Sequence, residues 1–133
     1  MKLTNFKINE DLIALELKEI YLDLHNNYNF QACHQTSNEI DLSWSCVKGD
    51  WIPPEIPNKI IIRIEHFSYI DLRGNVSGST NLDEIGFFEN STLGKVEYNG
   101  SNIPTKGHNL LLFRFIGGAE IAVIGEQATC LTQ

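Results

Sequence analysis

The residues of this chain best able to bind a metal or to act as nucleophiles are four histidines and three cysteines. Cys33 and His34 are adjacent, so in a strand their side chains point to opposite faces. The metal-site spacings CxxC, HxxxH and HExxH do not occur. A site assembled from distant strands by His25, His34 and His66 is the alternative. We expect isolated histidines, with no metal and no other cofactor.

No nucleophile stands beside a base in the sequence. Residues 74–78 do not match the Gly-x-Ser-x-Gly turn of serine hydrolases. Cys46 falls on the apolar face of a predicted strand, which indicates core filling. Glu65, His66 and Asp71 resemble an acid–base set, but polar groups on a sheet surface explain them equally well. We therefore predict no catalytic residues and no enzymatic activity.

Trp51 lies in a segment, residues 49–58, that contains three of the four prolines. Proline fixes φ and removes a backbone donor, so this segment is predicted to be a stiff loop. A stiff loop that exposes an aromatic side chain makes a protein contact at low entropic cost. The other interpretation, which we favour from the sequence, is that Trp51 folds back as a lid on the core.

Acidic residues accompany aromatic ones in a second candidate contact region. Asp83, Glu84 and Glu89 surround Phe87 and Phe88. We expect Phe88 to dock inward and the acids to be solvated. Together with the tryptophan of the proline-rich loop, the three acids are our candidates for a protein-binding surface.

A ligand site under the segment 75–109 is the alternative to a protein contact. Long loops over a rigid sheet are common positions for such sites. His66, Asp71 and His108 are the candidate polar lining for a small ligand or substrate.

Five stretches have the composition and periodicity of strands. Residues 39–47 alternate between apolar and polar side chains, and residues 60–67 are β-branched or apolar at nearly every place, as in a strand that is covered or central. Residues 69–73 continue as an alternating strand. Residues 110–116 and 119–124 flank Gly117-Gly118, which predicts a tight hairpin.

The remaining segments are less clear. Residues 9–17 fit a short helix or a strand. We favour a strand over residues 19–25 that turns through Asn26-Asn27 into residues 28–34. Thr80 and Asp83 form a capping box, which predicts a short helix with Leu82, Ile85 and Phe88 on its apolar side.

These elements predict one domain over residues 1–133 that is mainly β. We expect seven or eight strands in a single antiparallel β-sandwich or strongly bent sheet, with one or two short helices. Short strands divided by turn residues lack the helix-length crossovers that parallel pairing requires.

The charge of the chain limits its partners. Ten Lys and Arg against seventeen Asp and Glu give a net charge of −7, and the cations are scattered. Nucleic acid is not an expected partner, because its binding requires a basic stripe. No apolar run is long enough to span a membrane. The absence of a signal sequence and the odd cysteine count predict a cytoplasmic protein.

Three stretches, residues 22–25, 61–74 and 112–123, carry a family resemblance. Their strand and turn pattern resembles that of small bacterial proteins, some of which are immunity proteins of polymorphic toxin systems. The resemblance implies a cytosolic, acidic, non-enzymatic protein that neutralises a basic toxin domain. The three stretches contain 30 of the 133 residues, and the proline-rich loop and the Asn-rich segment depart from the resemblance.

Overall fold

The computed structural model describes residues 1–76, 81–90 and 100–133. Within these ranges the chain is mainly β, with twelve strands and no helix, so the expectation of one or two short helices is wrong. The strands are β1 (Lys2–Leu3), β2 (Lys7–Ile8), β3 (Ala14–Leu17), β4 (Ile20–Asp23), β5 (Tyr28–Gln35), β6 (Glu39–Cys46), β7 (Lys59–Glu65), β8 (Tyr69–Arg73), β9 (Leu82–Phe88), β10 (Leu110–Phe115), β11 (Glu120–Ile124) and β12 (Gln127–Thr132).

The strands form three open sheets. The five-stranded sheet has the order β1-β12-β7-β6-β5, the four-stranded sheet β8-β11-β10-β9 and the three-stranded sheet β2-β3-β4. All pairings within them are antiparallel except that of β1 with β12. The antiparallel character predicted from the short strands is therefore confirmed.

The inner faces of the two larger sheets share one hydrophobic core. Ile40, Leu42 and Trp44 of β6 are fully buried, as their period-2 alternation predicts. The Trp44 ring lies 5.9 Å from the Phe113 ring of the facing sheet, measured between centroids. Phe30 of β5 lies 4.8 Å from Phe115 in the same way. These ring contacts pack the two sheets against each other.

The hairpin at the end of the chain matches its prediction. Gly117 and Gly118 have φ angles of 101° and 97°, which side chains other than glycine rarely adopt. The Phe115 N–H donates to the Ala119 carbonyl over 2.9 Å and closes the turn. β10 and β11 then pair without a break from Arg114 to Leu111.

The first part of the chain differs from its prediction. Residues 9–17 form a turn followed by β3. The hairpin turn is at Lys18, whose φ of 57° reverses the chain between β3 and β4. β4 and β5 belong to different sheets, so Asn26-Asn27 is a connection between sheets and not the turn of a hairpin.

The predicted helix near residue 82 is a strand. β9 pairs with β10 from Leu82 to Phe88, with an irregularity that leaves Asp83 out of the register. Thr80 lies outside the described residues. In the part of the chain described above, no helix is long and apolar enough to cross a membrane.

Candidate contact surface

Trp51 is the most exposed of the large hydrophobic side chains in the described residues, at 66% of its full surface. The expectation that it closes over the core as a lid is therefore wrong. The core beneath the loop is already filled by Tyr28, Trp44 and Ile60, each fully buried. These side chains are buried without help from the indole.

The loop that carries Trp51 is held by hydrogen bonds at both of its ends. The Ile52 N–H donates to the Gly49 carbonyl over 3.2 Å, and the Ile56 N–H to the Pro53 carbonyl over 3.4 Å. The buried Tyr28 hydroxyl donates to the Pro57 carbonyl over 2.7 Å. Fixed proline φ angles and these bonds together restrict the conformations available to the loop.

The indole ring of Trp51 packs directly over the backbone of Gly49. A Cβ atom added at Gly49 would lie only 2.2 Å from Cζ3 of Trp51. A side chain at position 49 would therefore displace the ring from this place. The ring is braced by its own loop and presents its other surface to solvent, as a preformed anchor does.

Several other segments meet at the same end of the molecule. They are linked to the Trp51 loop by a series of hydrogen bonds, from Val47 N–H to Asn27 carbonyl (2.9 Å), from Asn81 Nδ2 to His25 carbonyl (3.2 Å) and from Ile116 N–H to Asn81 carbonyl (2.9 Å). Ile116 is 54% exposed in the hairpin turn. This end therefore carries two exposed apolar side chains.

The predicted acidic cluster is only partly available for a partner. Phe87 and Phe88 are both buried, which confirms the inward docking expected of Phe88, so these two rings offer no exposed aromatic surface beside the acids. Glu84 is half-buried and forms an ion pair with Arg114 over 3.2 Å. Asp83 and Glu89 are exposed. Of the three acids, Asp83 is the one at the same end of β9 as Asn81.

Arg114 organises the outer face of the four-stranded sheet. It lies in register with Glu84 on one side and Glu120 on the other, and its Nε donates to Glu120 over 3.0 Å. The guanidinium carbon also lies 4.9 Å from the centroid of the Phe88 ring. Because a buried cation needs such partners, we assign this set to stability and not to binding.

The predicted ligand residues His66, Asp71 and His108 lie in three different segments. His66 ends β7 with a φ of 51°, and its N–H donates to the Asn38 carbonyl over 2.7 Å. Asp71 is in β8 and forms an ion pair with Arg73 over 3.5 Å. His108 is in an exposed turn before β10. None of the three lines either of the two cavities described below.

The cysteines have the properties of core residues. Burial raises the pKa of the Cys33 and Cys46 thiols and raises that of Cys130 to about 11. A raised pKa leaves little thiolate at neutral pH, which disfavours nucleophilic chemistry. The described ranges contain no group of three or more His, Cys, Asp or Glu side chains that could hold a metal.

A groove that the sequence did not indicate runs beside the first strands. It has a volume of about 1330 Å³ and is lined by residues 1–10, 16–18 and 102–104 with Cys130 and Thr132. A smaller cavity of about 460 Å³ adjoins it at residues 104–107. β1 and β2 form part of the wall of the groove. Each strand has only two residues, so the sequence contains no period-2 pattern long enough to predict them.

No family model, curated protein or solved structure matches this chain. The function proposed below therefore follows from the geometry and charge of the described surface.

Proposed function

We propose that this chain is a non-enzymatic protein-binding protein whose contact surface is centred on Trp51. The observation that carries the proposal is a tryptophan 66% exposed on a proline-stiffened loop, with its ring braced against Gly49. Tryptophan is strongly enriched among the few residues that dominate interface energetics.

The energetic yield of such an anchor is large. Two thirds of a tryptophan surface is roughly 150 Å², and removing that area from water contributes about 4 kcal/mol. The entropic cost of ordering the loop offsets little of this free energy, because the loop is already restrained. One residue can therefore account for a substantial share of a binding free energy.

Charge favours a basic partner. The chain has a net charge of −7, and Asp50 and Glu55 flank the tryptophan against a single nearby cation, Lys48. Acidic surfaces accelerate encounter with basic proteins and raise selectivity more than affinity. We infer that the partner is a basic protein domain. More specifically, we propose that the chain is an immunity-type protein that neutralises a toxin domain in the cytoplasm.

Site-specific photo-crosslinking tests where the partner binds. A benzophenone amino acid replaces Asp50, exposed beside Trp51, in one variant and Ile103, 58% exposed beside the groove, in a matched control. We expect crosslinking of a basic protein from the native extract at position 50 and none of that protein at position 103. Crosslinking at position 103 alone would refute the proposed surface.

The groove supports a second candidate function, small-ligand binding. Its wall includes Asn102, Ile103 and Pro104, which belong to the 75–109 segment suggested for a ligand site. Its charged lining is mixed, with Lys2, Lys7 and Lys18 against Glu10 and Glu16, and the one-charge cationic excess favours an anionic ligand. A thermal-shift screen of metals, nucleotides and sugars tests this function. A ligand that raises the melting temperature of the wild type but not of a Lys7→Glu variant supports it.

A further inference from the structure

The edge strand β8 carries exposed apolar surface beside the core. Among the described residues β8 pairs only with β11, which leaves its other side unpaired. Leu72 is 45% exposed although its register partner Ile121 is fully buried. The core thus ends at Leu72 with part of an apolar side chain in water.

We propose that a second copy of this chain covers this edge, with the two β8 strands pairing antiparallel about a twofold axis at Leu72. In this register Leu72 faces Leu72 of the second copy. Asp71 faces Arg73 of the second copy, and Arg73 faces its Asp71. The pairing joins two four-stranded sheets into one of eight strands, and such strand addition at an exposed edge is a common mode of association.

The twofold symmetry and the charges select this register. Along an edge strand, only every second residue directs its N–H and C=O groups toward the open edge. When two copies of such a strand pair about a twofold axis, one residue must therefore lie opposite the same residue of the second copy. An axis at Asp71 would set two like charges opposite each other, which destabilises a pair of strands. An axis at Ile70 would leave Arg73 without a partner. The axis at Leu72 produces two opposite-charge pairs and one leucine pair.

The other edges are less suited to the same pairing. β5 and β9 carry irregularities in their ladders, and β1 and β2 are only two residues long. β4 offers Asp23 but no cation within its four residues. The β8 ladder is regular over all five residues.

Outer-face charges also continue across the proposed junction. Glu84, Arg114, Glu120 and Arg73 occupy successive strands in one register row, alternating in sign. Asp71 of the second copy would follow Arg73 in this row. The charge alternation would then extend from one sheet into the next.

Sedimentation velocity on charge-swapped variants tests the proposal. We expect a dimer for wild type and at least about a tenfold higher dissociation constant for Asp71→Arg or Arg73→Asp alone, since each sets like charges opposite. The Asp71→Arg/Arg73→Asp double variant should dimerise more tightly than either single variant, because both intermolecular pairs are restored with reversed sign. Recovery falls short of wild type, because the aspartate introduced at position 73 lies opposite Glu120 of its own chain. Urea midpoints check that each variant is folded.

Three results would overturn the proposal. They are a wild type that is monomeric at the highest soluble concentration, single variants that dimerise like the wild type, and a double variant that stays monomeric while folded. Trp51→Ala should dimerise normally, which separates this inference from the proposed function.

Discussion

The two tryptophans of this chain have opposite environments, and the difference defines the candidate surface at the scale of single residues. Trp44 is fully buried between Phe30 and Phe113, whereas Trp51 is 66% exposed. Period-2 alternation predicted the first position. Nothing local to Trp51 predicted the second, because exposure of a loop side chain depends on whether other residues already fill the core beneath it.

Trp51→Ala should change the free energy of unfolding by less than roughly 0.5 kcal/mol, because the indole contributes little to the core. Trp44→Ala is the matched control and should cost about 3–5 kcal/mol, since it opens a cavity. Urea unfolding of both variants measures the difference. A loss of more than about 2 kcal/mol in Trp51→Ala would show that the ring is a structural lid.

Burial of Cys130 makes stability depend on pH in the alkaline range. Its thiol has a pKa of about 11 in the folded chain, above its ordinary value near 9. The unfolded chain therefore releases this proton first as the pH rises. The free energy of unfolding should therefore fall by about 2 kcal/mol between pH 9 and 11.

Cys130→Ala removes the titrating group and isolates its effect. Its unfolding free energy should fall less steeply over the same pH range than that of the wild type. The comparison requires urea unfolding of both proteins at pH 8, 9, 10 and 11. Equal slopes for the two proteins would contradict the assigned cause.

At the scale of elements, strands were predictable where one face is buried and the other is wet. β6 satisfies that condition. The β10–β11 hairpin does not, because both strands are largely buried on both faces, and it was located from the Gly117-Gly118 turn instead. Both elements were located from the sequence to within about two residues. β9 was mistaken for a helix because Leu82, Ile85 and Phe88 recur at a spacing near 3.6. The irregularity at Asp83 and burial on both faces of β9 removed the period-2 signal.

The assignment of strands to sheets could not be predicted from local sequence patterns. The change of apolar phase near Lys18 marks the hairpin turn between β3 and β4, but assignment of β4 and β5 to different sheets depends on their distant partners. The candidate contact surface likewise depends on contacts between residues that are distant in the sequence. Its second apolar side chain, Ile116, lies 65 residues from Trp51 in the printed sequence and shares its end of the molecule only through folding.

The row of charges on the four-stranded sheet gives a prediction for β9, β10 and β11 together. Arg114→Ala should destabilise the protein by about 2–4 kcal/mol, because Glu84 and Glu120 would remain half-buried without their cation. Arg73→Ala is the control, and its exposed pair with Asp71 should be worth less than about 1 kcal/mol. Similar losses in both variants, measured by urea unfolding, would contradict this role for Arg114.

At the scale of the whole molecule, the acidic charge should govern how fast a basic partner arrives. With a net charge of −7, the association rate constant should fall steeply as ionic strength rises, while the dissociation rate constant changes little. Stopped-flow mixing at several salt concentrations measures both. An association rate independent of salt would argue against electrostatic steering.

The most direct test of the central claim is the affinity of the crosslinked partner, once purified, for three forms of this protein in isothermal titration calorimetry. We predict that Trp51→Ala weakens binding by about 2 kcal/mol or more, roughly thirtyfold, with unfolding free energy unchanged. Ile103→Ala, which removes another exposed apolar side chain away from the loop, should bind like the wild type. Equal affinities for wild type and Trp51→Ala would contradict a contact surface centred on Trp51.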